Sequence, residues 1–387
     1  MRCIIFFFAA MTFMSQPLIA GAATSSLVHV EADALPALTP DGDLSSFKTT
    51  LEREVAGCRE QGERRTLMFE GRKLNLKQWC VETGVAMAKL AGECKDFAEF
   101  WARAKTEFDW YKSKGSDGNG AVMFTGYYFP VLGGSRTETG AYAHPLYRRP
   151  DELVRVEIGG SLKWRRKNAD ATYSLFPDRR AIDLEGALKD KGYELAYVDD
   201  AFSAFVLHVQ GSGAVLLHEA DGTTKRIIVN YAAQNGREYV ALRRVLAERG
   251  VGEEFLTIPG MRKYFEAHAG ELMETLAANP SYVFFQEASE GPFGATTTVL
   301  TPGHSIAVDP RFLPLSAVAF LKTERPVVQN GEVTGWEAFS RFAVSQDIGG
   351  AIRSAGRVDV YWGEGDYAEL AAGHMNQPGE LYFAIKK

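Results

Sequence analysis

The sequence predicts a mainly β fold with peripheral helices, its C-terminal quarter forming a small closed barrel. Two observations carry that expectation. From Ala121 onward, short apolar or alternating runs are separated by turn residues at close intervals. From about Gly291 the texture is strand, turn, strand with few helical stretches, as in barrels that close on themselves. Helix-period spacing is confined to the N-terminal quarter and to two stretches ahead of Pro280.

Taken in order, residues 1–22 read as an export signal: Arg2, an apolar core from Ile4 to Met14, and small residues at Ala20-Gly21-Ala22. That stretch is short for a membrane span, and no cysteine stands at the cleavage point to anchor a lipoprotein. The expectation is an exported, periplasmic protein, with outer-membrane association left open. Residues from Ala23 to about Asp43 lack periodicity and read as a lead-in. Phe47, Leu51, Val55 and Cys58 then recur at helical spacing, with Ser45 or Ser46 as the cap. A second helix is predicted over Lys95–Lys112, with Phe97, Phe100, Trp101, Ala104, Phe108 and Tyr111 forming a stripe that packs on a core.

Strands are predicted over Val122–Pro130, Glu194–Val198, Ala204–Gln210, Ala214–Leu217, Ile227–Tyr231 and Tyr282–Phe285, with a loop from Gly133 to Pro150. Helices are expected at Tyr239–Glu248 and Arg262–Ala278. The closing strands are Thr297–Leu300, Ser305–Val308, Ala317–Leu321, Phe342–Ser345, Val358–Trp362 and Leu381–Ile385. In an exported protein, two of Cys58, Cys80 and Cys94 are expected to pair, and spacing does not choose which.

Composition is that of an ordinary globular protein, 46% apolar and 24% charged over 387 residues. A net charge of −6 gives no footprint for nucleic acid. Neither glycine-rich phosphate-binding motif occurs, so no nucleotide is expected. The seven histidines show no metal-ligand spacing, so neither metal nor other cofactor is expected.

The chemistry-bearing stretch is Phe342–Tyr361. Asp347 opens a glycine-bearing turn with Gly349 and Gly350. Asp359 lies in an alternating run that puts Val358, Val360 and Trp362 on one face and Asp359 with Tyr361 on the other. Asp309 ends a third apolar strand. Carboxylates held on strands beside aromatics (Tyr127, Tyr128, Phe129, Trp362) suit glycoside cleavage, where an acid protonates the leaving oxygen. The plainer reading of Asp347 and Asp309 is as turn residues. A lone Asp-Ile-Gly lacks the second element an aspartic protease needs. His208 and Ser212 sit in no nucleophile elbow.

Several stretches stand together: Thr125-Gly126-Tyr127-Tyr128; His208-Val209-Gln210-Gly211-Ser212-Gly213; Tyr231 to Gly236; Asn279 to Phe285; Leu300 to Asp309; and Asp347 to Ile352 with Val358 to Tyr361. In this order they resemble the lytic murein transglycosylase A family, with its three-aspartate C-terminal domain. The resemblance implies a double-psi β-barrel from residues 23–129 and 291–387, an inserted β-rich domain at 130–290, and a groove between them for a glycan strand. It implies cleavage of the β-1,4 bond between N-acetylmuramic acid and N-acetylglucosamine in peptidoglycan, leaving 1,6-anhydro ends. It places the catalytic acid on Asp359 and supporting roles on Asp347 and Asp309. It places glycan contacts at Thr125, Gly126, Tyr127, Gln210, Gly211, Ser212, Gly213, Gly349 and Gly350. Wall-remodelling or peripheral outer-membrane partners are left open. The chain departs from the family pattern in the Asp347–Asp359 spacing, one residue longer than expected, and at Phe129, where a polar residue is expected. The alternatives are a two-carboxylate hydrolase on the same barrel and a non-catalytic, expansin-like wall-binding module.

Overall fold

The structure is a computed structural model that describes residues 26–37, 43–60, 66–69 and 72–387. The signal-peptide expectation for residues 1–22 lies outside the described residues. Two compact units are present: one holds the described residues up to Tyr128 together with Phe293–Lys387, and the other is Phe129–Pro292.

The first unit is built on a closed six-stranded ring. Strand Asn376–Lys386 pairs with Val318–Gln329, which pairs in turn with Glu332–Asp347; next come Ser305–Ala307, Arg357–Tyr361 and Val122–Tyr127. The last of these pairs back onto Asn376–Gly379 and closes the barrel. Two of the pairings are parallel, Ser305–Ala307 with the end of Glu332–Asp347 and Arg357–Tyr361 with Val122–Tyr127. Closure leaves no free edge within the ring.

Helices cover one side. The Phe97–Glu107 helix is capped by Asp96 and presents Phe97, Phe100, Trp101 and Ala104 to the barrel. Trp101 stacks on Phe320 at 4.5 Å between ring centroids, and Phe100 meets Phe342 edge-on at 4.8 Å. The aromatic stripe is therefore core. It stops at Glu107, and Phe108 and Tyr111 belong to a strand, Phe108–Ser113, that adds to the sheet beside Asn376–Lys386. The Leu44–Glu60 helix is capped two residues ahead of Ser45: Asp43 accepts from the backbone N–H groups of Ser45 and Ser46. Cys58 and Cys80 form the disulfide, leaving Cys94 as a free thiol.

Thr297–Leu300 is not a strand; Thr297 takes a left-handed φ of 62° in a tight loop, and Val299 makes a single bridge to Phe293. The long hairpin Val318–Asp347 turns at Asn330-Gly331, both left-handed. That dipeptide suits a type I′ turn.

The inserted unit carries a six-stranded sheet in the order Val283–Ala288, Thr224–Gln234, Ser212–His218, Val131–Ser135, Glu194–Val198, His144–Tyr147. Gly133 to Ser135 thus lie in a strand, not a loop. A separate three-stranded sheet contains the hairpin Leu153–Ile158 and Ser161–Lys167. The predicted strand Ala204–Gln210 is a helix, Ala201–Gln210, and every residue in it except Ser203 is buried. A continuous apolar run does not separate a buried strand from a buried helix. Asp200, accepting from the N–H groups of Phe202 and Ser203, and Gly211 at φ 80° supply the two caps that decide it. The predicted Arg262–Ala278 helix is two, Ile258–Ala267 and Leu272–Ala277.

Candidate active site

Three barrel strands bring the aspartates together. Ala307 is the register partner of Asp347 on one side and of Asp359 on the other. Asp359 is itself paired with Thr125 on the parallel neighbour. The two carboxylates are thereby fixed by backbone pairing, one strand apart on each side of Ala307. Both are buried.

Asp359 is held from one side. The Thr125 hydroxyl donates to its Oδ1, and Arg357 Nε approaches the same oxygen at 3.2 Å. Arg357 also donates to the Thr125 hydroxyl at 3.1 Å. Oδ2 of Asp359 is buried and has no hydrogen-bond partner among the described residues. An orphaned carboxylate oxygen in a protein interior is rare and costly, and such groups concentrate where chemistry is done.

Asp347 has no such cation. Its Oδ1 accepts from the backbone N–H of Ala295 at 3.1 Å and of Ile348 at 2.8 Å. Burial outweighs these donors and, with a smaller push from the Asp359 charge, raises its carboxyl to about 7. Tyr127 lies beside it; burial first and the Asp347 charge second lift its phenol well above the usual range. The Tyr127 hydroxyl is within influence of Asp347 but short of ordinary hydrogen-bond geometry. Arg357, which the sequence reading passed over, sits on Asp359, whereas Asp347 is buried without a cation. The signal for Arg357 was available, since two residues along a strand share a face.

Asp309 is occupied differently. Both its oxygens are taken by Arg311, at 2.8 Å to Nε and 2.6 Å to Nη2, and Oδ1 also accepts from the Arg311 N–H. It closes the turn that follows Ser305–Ala307, as its place before Pro310 suggested.

Of the expected glycan contacts, Thr125 and Tyr127 are buried partners of the aspartates. Gly126 serves packing: a Cβ there would stand 2.7 Å from the Trp362 ring and 2.8 Å from the Ala372 Cα. Tyr128, Phe129 and Trp362 are buried rather than displayed. Gly349 and Gly350 are half-buried in the turn after Asp347. Gln210, Gly211, Ser212 and Gly213 belong to the inserted unit, where they end its buried helix and begin the Ser212–His218 strand. His208, on that helix, lies in a buried cluster. Arg179 bonds its Nδ1 at 3.0 Å, the Ser281 carbonyl at 2.9 Å and Asp183 at 3.2 Å. Burial, then the Arg179 charge, pushes His208 well below its ordinary range.

Residues 123–286 match the MltA specific insert domain and residues 304–384 the 3D domain. The membrane-bound lytic murein transglycosylase A of Escherichia coli K12 is 33% identical over 277 residues, 71% of this chain and 68% of that protein. The chain belongs to the membrane-bound lytic murein transglycosylase A family. The Vibrio cholerae protein of that name is 30% identical over 343 residues, 88% of this chain and 81% of its own. Among solved structures, a membrane-bound lytic murein transglycosylase from Agrobacterium tumefaciens matches with a TM-score of 0.76 at 25% identity, covering 93% of this chain and 98% of that one. The Escherichia coli transglycosylase with bound chitohexaose matches with 0.71 at 27% identity, covering 94% and 95%. Both matches run over nearly the whole length of this chain and of the solved one. The family's name includes membrane attachment; among the described residues of this member, no helix is long and apolar enough to cross a membrane.

Proposed function

We propose that this chain is a non-hydrolytic, peptidoglycan-cleaving lytic transglycosylase in which Asp359 is the single acid/base. Its substrate on this reading is the glycan strand, cut between N-acetylmuramic acid and N-acetylglucosamine. The observation that carries the assignment is the asymmetry of the Asp359 carboxyl: Oδ1 fixed by Thr125 and Arg357, Oδ2 buried and unpartnered.

In the first half, the proton on Oδ2 passes to the leaving O4 as the bond from the muramic C1 to that oxygen breaks. Ionised Asp347 stands across Ala307 from Asp359, and Arg357 stabilises the carboxylate left after the transfer. In the second half, the sugar's own C6 hydroxyl attacks C1 and gives its proton to Asp359, which restores the acid. The nucleophile is intramolecular, so no second carboxylate has to place a water. Asp347 tunes the pair, and Asp309, tied to Arg311, supports the turn beside it. The leading residues, read as an export signal, put this reaction in the periplasm, where the wall is.

Mass spectrometry of muropeptides released from purified sacculi tests this. Products with 1,6-anhydro ends, lighter by one water than reducing ends, are expected from the native sequence and absent with Asp359→Asn. Reducing ends would make Asp347 the base of a hydrolase and overturn the proposal.

A further inference from the structure

Glu54 lies on the Leu44–Glu60 helix, outside the barrel strands, yet it is 2% exposed and no step above uses it. Three donors converge on its Oε2: the hydroxyl of Thr296 at 3.0 Å, the hydroxyl of Thr298 at 2.5 Å and the side-chain amide of Gln346 at 2.9 Å. Either oxygen of a carboxylate accepts such a set, and as an anion does so more strongly, whereas a glutamine has one neutral acceptor oxygen and an NH2 to place where Oε1 stands. Burying a carboxyl without this satisfaction would be costly.

Each donor leads to Asp347. Gln346 precedes it on the strand, and its Oε1 accepts from the Ser305 hydroxyl at 2.5 Å, which turns the amide nitrogen toward Glu54. Thr296 and Thr298 belong to the loop whose Ala295 N–H donates to Asp347 Oδ1. The same loop is stitched to the strand by Thr296 N–H to the Gln346 carbonyl at 3.0 Å, and closed on itself by Gly294 N–H to the Thr298 carbonyl at 2.9 Å. At Gly294 a Cβ would stand 2.4 Å from the Gln346 carbonyl oxygen, so loop and strand touch backbone to backbone. The helix is equally close: at Gly57 a Cβ would be 3.1 Å from Thr298 Cγ2. One turn after Glu54, the Cys58–Cys80 disulfide ties this helix to the Leu76–Glu93 helix.

We propose that Glu54 is a positioning residue for the aspartate pair, clamping Gln346 on one side and the Thr296–Thr298 loop on the other. The clamp delivers the Ala295 N–H to Asp347 and fixes that carboxyl relative to Tyr127 and Asp359, the titratable groups that face it. This inference rests on the assignment of Asp347 and Asp359 to the active site.

The test is turnover on purified sacculi across pH for the native sequence, Asp359→Asn, Glu54→Gln, Thr298→Val and Thr298→Ser, with melting temperatures alongside. Glu54→Gln is expected to lower kcat by about 10–100-fold with KM changed by less than about twofold, as expected of a misplaced catalytic group. Loss of the Ala295 donor makes Asp347 hold its proton to higher pH, so the acid limb of the profile, where Asp347 must ionise, moves upward. Thr298→Val follows in the same direction with a smaller effect, and Thr298→Ser, which keeps the hydroxyl, stays near native. If Glu54→Gln does not fold, the Thr298 pair decides. Native kcat and pH profile in the folded Glu54→Gln and Thr298→Val proteins, with only melting lowered, overturn the positioning role while leaving Asp359 in place. An Asp359→Asn protein that still cuts, or a native protein that releases no anhydro ends, overturns both readings.

Discussion

Two buried charged clusters, one in each unit, are built on opposite principles. In the inserted unit Arg179 is sandwiched between Phe205 and Tyr282, at 4.8 and 4.9 Å from their ring centroids, and bonds Asp183, His208 and the Ser281 carbonyl. A cation sits beside an anion, and a neutral histidine completes the set. In the barrel, two carboxylates flank Ala307 and Arg357 reaches Asp359, while Asp347 is left with backbone donors. In the first cluster the cation and anion face each other, with Arg179 Nε and His208 Nε2 left without partners among the described residues. The second keeps a carboxyl near 7 and an oxygen without a partner, which is energetically poor and chemically useful.

That contrast can be broken experimentally, and the largest effect is expected in the barrel. Asp359→Asn should lower muropeptide release by roughly 10²–10⁴-fold, the worth of a positioned general acid, with little change in urea midpoint. Next, Arg179→Ala should destabilise the protein by about 3–5 kcal/mol in urea unfolding, because it leaves Asp183 buried without its cation. A loss below about 1 kcal/mol would show the insert cluster is not held by the ion pair described.

Asp347→Asn should do the reverse. In the unfolded chain this carboxyl titrates at its ordinary 3.8 and in the fold at about 7. Below the lower value both states hold the proton and the fold carries no penalty. As pH rises through this window the unfolded chain releases its proton first, so stability falls, and the loss is complete above the folded value. The asparagine variant should therefore be more stable at pH 8 by on the order of 2–4 kcal/mol and match the native protein at pH 3. Its turnover should be weakened but survive. The smallest effect is expected at Thr125→Val, which removes one donor to Asp359 and should slow turnover about tenfold.

The sequence showed the barrel through its alternating strands and showed Asp359 through the Val358–Trp362 pattern. It was less informative wherever a burial context decides between periods. Ala204–Gln210 reads as a strand because all its neighbours are apolar; the capping pair Asp200 and Gly211 was the missed signal. Asn330-Gly331 was likewise visible and marks the hairpin of the longest strands. The Arg357 contact followed from strand parity. The raised Asp347 carboxyl did not, since it depends on burial without a cation, which only the fold decides. Glu54 was on a helix far along the chain from its partners, and no local pattern links it to Gln346.

The pairing of Ala307 with both Asp347 and Asp359 has a bearing on how such a site tolerates change. The gap between the two carboxyls is set across strands, by register, and the connecting segment beyond Ile348, whose N–H bonds Asp347, returns the chain to Arg357. That segment is a turn without strand or helix. A residue gained or lost there alters the route but leaves both anchor points where they were. A spacing between the aspartates one residue longer than the resemblance implies would therefore leave the register, and with it the reacting atoms, in place.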